Sequence, residues 1–97
     1  MMQPAIFTLD IGNRPILSFE AKNLREAWEV CHELWLREDV ARLRSNGIAL
    51  WDGVATLRSR SATEPEREVY REAAKSAAAP LDELVLAYLV EIDSETV

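Results

Sequence analysis

The chain holds one cysteine and one histidine, and they are neighbours, Cys31 and His32. A thiolate beside an imidazole would be a nucleophile with its base. On a helix, however, adjacent side chains point about 100° apart and do not face each other. Cys31 also falls within the apolar set Leu24, Ala27, Trp28, Leu34 and Trp35, and apolar burial keeps a thiol protonated and inert. The expectation is a core cysteine.

Glu29 and His32 have the spacing that puts a carboxylate and an imidazole on one helical face, as in carboxylate-bridged metal bundles. Those sites need more than one such motif, and with a single histidine a ligand set would have to be shared between two chains. No metal is expected. Ser59, Ser61 and Thr63 would depend on the same lone His32 for a general base. Three glycines in all leave no phosphate-cradling loop, and a single cysteine leaves no paired-thiol motif. The chain therefore reads as non-enzymatic and without a cofactor.

Two sets of residues remain as binding candidates. Arg58 and Arg60 project from one face of an expected strand, and two adjacent guanidinium groups can hold a phosphate or a carboxylate. The competing reading pairs them across the sheet with Asp10 or Glu20. The second set is apolar. After Leu24, Ala27, Trp28, Cys31, Leu34 and Trp35 the helical stripe fails, because its continuation would place Glu38 and Arg42 at its centre. Leu36, Val40 and Leu43 repeat instead on a nearly opposite face. Either the helix breaks near residues 37–39, or it continues and offers these three side chains to a second copy of the chain as a twofold contact. Trp28, Trp35 and Trp51 are either core or anchors for a partner, since tryptophan is enriched at interface hot spots.

The elements that must position these residues follow from periodicity. Residues 5–11 and 16–21 alternate apolar and polar and flank the turn residues Gly12-Asn13-Arg14-Pro15, which reads as a β-hairpin. Asn23 and Glu26 form a capping box, and Ser45-Asn46-Gly47 ends the helix that follows. Residues 54–60 alternate as a third strand, with Ala55 and Leu57 inward and Thr56, Arg58 and Arg60 outward. Thr63, Pro65 and Glu66 start a second helix with an alanine-rich face, which Pro80 ends. Leu84–Ile92 is apolar almost throughout and reads as a central strand. The order ββαβαβ predicts an α+β two-layer sandwich, with two helices on one face of a four-stranded, mainly antiparallel sheet. A β-grasp-like arrangement is the alternative.

Composition sets the outer bounds. Ninety-seven residues, 48% hydrophobic and 29% charged, suit a single domain spanning 1–97, with 93–97 as a loose tail. The net charge is −6, and residues 81–97 carry five acidic groups and no basic one. A nucleic-acid or anionic-membrane partner is disfavoured, because both need a basic surface. No basic leader or long apolar run is present at the N-terminus, so the expected setting is cytoplasmic. The function expected is protein–protein contact, with a second copy of the chain as the simplest partner. Anion binding at Arg58 and Arg60 is the alternative.

Overall fold

The computed structural model describes residues 5–77 and 85–93. The helix stop expected at Pro80, the strand start at Leu84 and the tail residues 94–97 lie outside them. The elements are β1 (Ala5–Ile11), β2 (Arg14–Ala21), α1 (Leu24–Cys31), α2 (Leu34–Arg42), β3 (Arg44–Ser45), β4 (Ile48–Ala49), β5 (Leu57–Ser61), α3 (Glu64–Ala77) and β6 (Ala87–Tyr88). The fold is α+β: helices pack on a four-stranded antiparallel sheet of order β5-β1-β2-β6.

The β1–β2 hairpin turns at Gly12, whose positive φ of 65° suits glycine. A bulge follows, since Leu9 pairs with Leu17 but Asp10 pairs with Pro15. Ile16 is the extra residue, so Ile16 and Leu17 are both buried. The inner face carries Phe7, Leu9, Ile11, Leu17 and Phe19. With Ala27 and Cys31 from α1, Leu36 and Val40 from α2, and Leu50, these form the core.

One expected helix is two. Asn23 caps α1, its side chain accepting from the Glu26 amide at 2.9 Å. The chain then breaks at His32–Glu33, four residues before the expected point, and Glu33 adopts extended backbone ahead of α2. The break resets the helical phase, so α2 can turn Leu36 and Val40 into the core that α1 already covers. Residues 45–47 are no helix end. Asn46 and Gly47 both take positive φ in a two-residue hairpin joining β3 and β4, the conformation an Asn-Gly pair favours.

Two further expectations are corrected. The last strand is not central: among the described residues it pairs only at Ala87 and Tyr88, at the edge beside β2. Asp93, assigned to the tail, is pinned to the β3–β4 turn. Its carboxylate accepts from the Asn46 and Gly47 amides at 2.8 and 2.7 Å, and its own amide donates to the Arg44 carbonyl.

The sheet and α1–α2 make the expected two layers. The other expected helix, α3, lies on the opposite face. Thr8 and Glu20 point away from the core side, and they bond Glu66 and Tyr70 of α3. The reason is chemical: the outer face offers hydroxyls and charges, and α3 brings the matching groups.

Candidate interaction surface

Arg60 is fully engaged within the chain. Its Nε donates to Asp10 Oδ2 at 2.9 Å, and Nη1 and Nη2 donate to the two Glu66 carboxylate oxygens, each at 2.9 Å. Glu66 Oε1 also accepts from Thr8 Oγ1 and from the Thr63 amide, which closes the expected capping box of α3. Thr8 spends its one proton on Glu66, so Ser18 must donate in the buried Thr8–Ser18 bond. The bond to Arg60 is the main reason the Glu66 carboxyl is lowered to about 2, and the same bonds, Glu66 before Asp10, hold the guanidinium above its ordinary value.

The expected anion pair is therefore split. Arg60 already holds two carboxylates, as the cross-strand reading anticipated for Asp10. Arg58 stands opposite Asp10 in register, is exposed, and makes no ion pair among the described residues. Two side-by-side free guanidiniums do not exist here.

Cys31 is buried, and loss of solvent pushes its thiol up to about 12 against the opposing effect of a Ser59 hydrogen bond. His32 turns away from it: the ring stacks on Trp28 at 4.2 Å between centroids, and Nδ1 lies 2.8 Å from the Trp28 carbonyl oxygen. Among the described residues, no three acidic, histidine or cysteine side chains cluster where a metal could be held. No helix there is long and apolar enough to cross a membrane.

The apolar candidates change places. Leu36 and Val40 are 0% exposed, and Leu43 is half-buried against the core. Leu36 and Val40 offer no surface to a second copy. The break at residues 32–33 turned them inward, which removes the contact surface expected there. Four members of the first stripe point to solvent instead: Leu24 and Trp28 are each 56% exposed, Leu34 66% and Trp35 43%. Only Ala27 and Cys31 of that stripe are buried. Trp51 is half-buried, with its indole N–H on the Ala55 carbonyl and Arg37 over its ring at 5.8 Å.

The geometry of α1 places this exposed flank. The helix packs chiefly on β5, the edge of the sheet, with the Cys31 thiol against Ser59. Small residues on both partners allow that close approach. Around the helix, Val30 lies about 80° to one side of the Ala27–Cys31 line, and Leu24 and Trp28 centre about 60° to the other. Val30 packs toward the core. Leu24 and Trp28 thus face outward, past the β5 edge. Sequence reasoning offered Trp28 and Trp35 as possible anchors but kept Leu24 and Leu34 in the core stripe, because it weighed residue type over size. The signal was present: the two small residues, not the large ones, sit one helical turn apart at the centre of the buried line.

The chain matches no family model, no curated protein and no solved structure.

Proposed function

We propose that the protein works through protein–protein contact rather than catalysis, and that its contact surface is the outward flank of α1, Leu24 and Trp28, extended by Leu34 and Trp35 at the start of α2. The carrying observation is the exposure of two leucines and two tryptophans around one helix break. Fully burying an exposed side chain of this kind is worth roughly 1.5–3 kcal/mol, and about half of each is still exposed, so the flank holds binding energy that the folded chain leaves unused. The inert thiol of Cys31 and the engaged Arg60 support the non-catalytic reading. The net charge of −6 supports a protein partner over a nucleic acid. A cytoplasmic setting belongs to the same reading, supported by the lone cysteine.

Site-specific photo-crosslinking in cells tests this. A benzophenone side chain at position 28 is expected to give a discrete adduct, while the same probe in place of Glu72, on exposed α3 surface, gives none. Equal labelling from both positions, or none from position 28, would reject the surface. Adducts from the purified chain alone would report self-association.

A further inference from the structure

The outward flank of α1 stands beside a second feature that has no partner among the described residues. β5 is the edge of the sheet. Ala62 N–H donates to the Ile6 carbonyl and Gly12 N–H to Thr56, so the even-numbered residues of β5 aim their backbone groups at β1. The odd-numbered ones, Leu57, Ser59 and Ser61, aim theirs away from the sheet. Among the described residues, the Ser61 carbonyl alone of these groups has a partner, the Arg60 guanidinium of the same strand. The edge and the flank lie side by side, because α1 packs chiefly on β5 and turns Leu24 and Trp28 outward past it. Together they make a shelf that a single added strand fills.

The side chains say what strand. In an antiparallel addition, Leu57, Ser59 and Ser61 would occupy hydrogen-bonded positions. Incoming residues opposite them would point to the inner face, beside Leu24 and Trp28, where apolar side chains fit. Arg58 and Arg60 would occupy non-hydrogen-bonded positions, where facing side chains come closest. Arg60 is neutralised by Asp10 and Glu66, whereas Arg58 is not. A second copy of β5 fits poorly, because a twofold pairing about this edge sets arginine against arginine. We propose that the β5 edge and the α1 flank together bind an extended segment of a partner protein that alternates apolar and acidic residues, by strand addition, with a carboxylate opposite Arg58. This rests on the contact reading of the flank and names the element it recognises.

The test uses the full chain and a synthetic peptide, acetyl-Thr-Val-Glu-Val-Glu-Val-Thr-amide. Controls carry lysine in place of glutamate, or N-methyl groups on the amides that would face β5. Amide hydrogen exchange and fluorescence anisotropy read the complex. Saturating peptide is expected to slow exchange at Leu57, Ser59 and Ser61 at least tenfold. The lysine and N-methylated peptides are expected to bind at least tenfold more weakly, and Arg58→Glu to reverse the glutamate-over-lysine preference. Ser61→Pro removes one outward N–H without touching the β1 ladder and is expected to weaken binding similarly.

Equal binding of the N-methylated peptide, protection elsewhere on the chain, or no binding of any peptide overturns the proposal. So does a doubled solution mass that protects the same three amides without peptide, which would assign the edge to a second copy. A discrete adduct from position 28 alongside failed peptide binding would reject the strand and leave the surface standing; a missing adduct rejects the surface itself.

Discussion

Phe7 and Thr8 are neighbours on β1 and both are buried, yet they are held by different forces. Phe7 lies in one apolar cluster with Ala27, Cys31, Leu36 and Val40. Thr8 faces α3 through Ser18, Glu66, Arg60 and Asp10, a chain of hydrogen bonds and ion pairs. Tyr70 adds a bond to Glu20, and burial, reinforced by that carboxylate, pushes its phenol up to about 12. Water exclusion holds one side of the sheet, and specific partners hold the other. The difference teaches that α1–α2 and α3 should respond to different perturbations even though they share the same strands.

The largest effect belongs to the apolar side. Phe19 is fully buried, and Phe19→Ala should cost about 3–5 kcal/mol, read as the shift of the urea midpoint at constant slope. The cost should be equal at pH 7 and pH 4. A cost that shrinks with acid would mean the two faces are not independent.

Glu66→Ala comes next. It strips partners from Arg60 and Thr8 and opens the α3 capping box, and should cost about 2 kcal/mol in urea unfolding. Replacing Asp10, Arg60 and Glu66 together, with Asn, Met and Leu, should cost less than Glu66→Ala alone, because no charge of the group is then left without its mate. A triple variant worse than the single would show that α3 is held by these charges in particular and not by general burial.

Acid separates the two faces more gently. The Glu66 carboxyl is lowered to about 2 in the folded chain, against an ordinary glutamate value of about 4.3 unfolded. A depressed carboxyl stabilises the fold above its unfolded value, and that stability drains as pH falls toward the folded one. Stability should therefore decline from about pH 5 down to about pH 2. Glu66→Gln should flatten that slope; a slope unchanged in the variant would place the acid sensitivity elsewhere.

What was legible in the sequence follows the same division. Strand alternation exposed both hairpin strands and the inner core, because a period of two separates faces whatever lies on them. Both helix caps were readable from a few residues, because caps are local, although the Glu26 carboxylate of the expected first capping box accepts from the Lys22 amide and not from that of Asn23. The placement of α3 was not: Val69 and the alanines suggested an apolar face turned to the core, but Val69 is exposed and Glu66, Tyr70 and Arg67 make the contacts with the sheet and its flanking loop. Where polar groups make the attachments, an apolar face read from the sequence does not tell which side of the sheet the helix takes. The site suffered from a similar ambiguity. Large apolar residues at helical spacing look like core, but at Leu24 and Trp28 the close approach of Ala27 and Cys31 to β5 leaves them no room beneath the helix.

That crowding makes the smallest effect the most informative. If Ala27, Val30 and Cys31 hold α1 to the sheet, then Leu24 and Trp28 contribute little to its attachment. Replacing both with serine should change stability by only about 0.5 kcal/mol, mainly from the lost Trp28–His32 stack. Leu36→Ser, in the neighbouring helix, removes a side chain with no exposure and leaves a hydroxyl in its place, and should cost several times more. Urea unfolding of the two variants side by side reads the difference. A comparable loss in both would mean that the flank is closed against the chain in solution. The shelf over β5 would then be filled by the protein itself, and no strand could enter it.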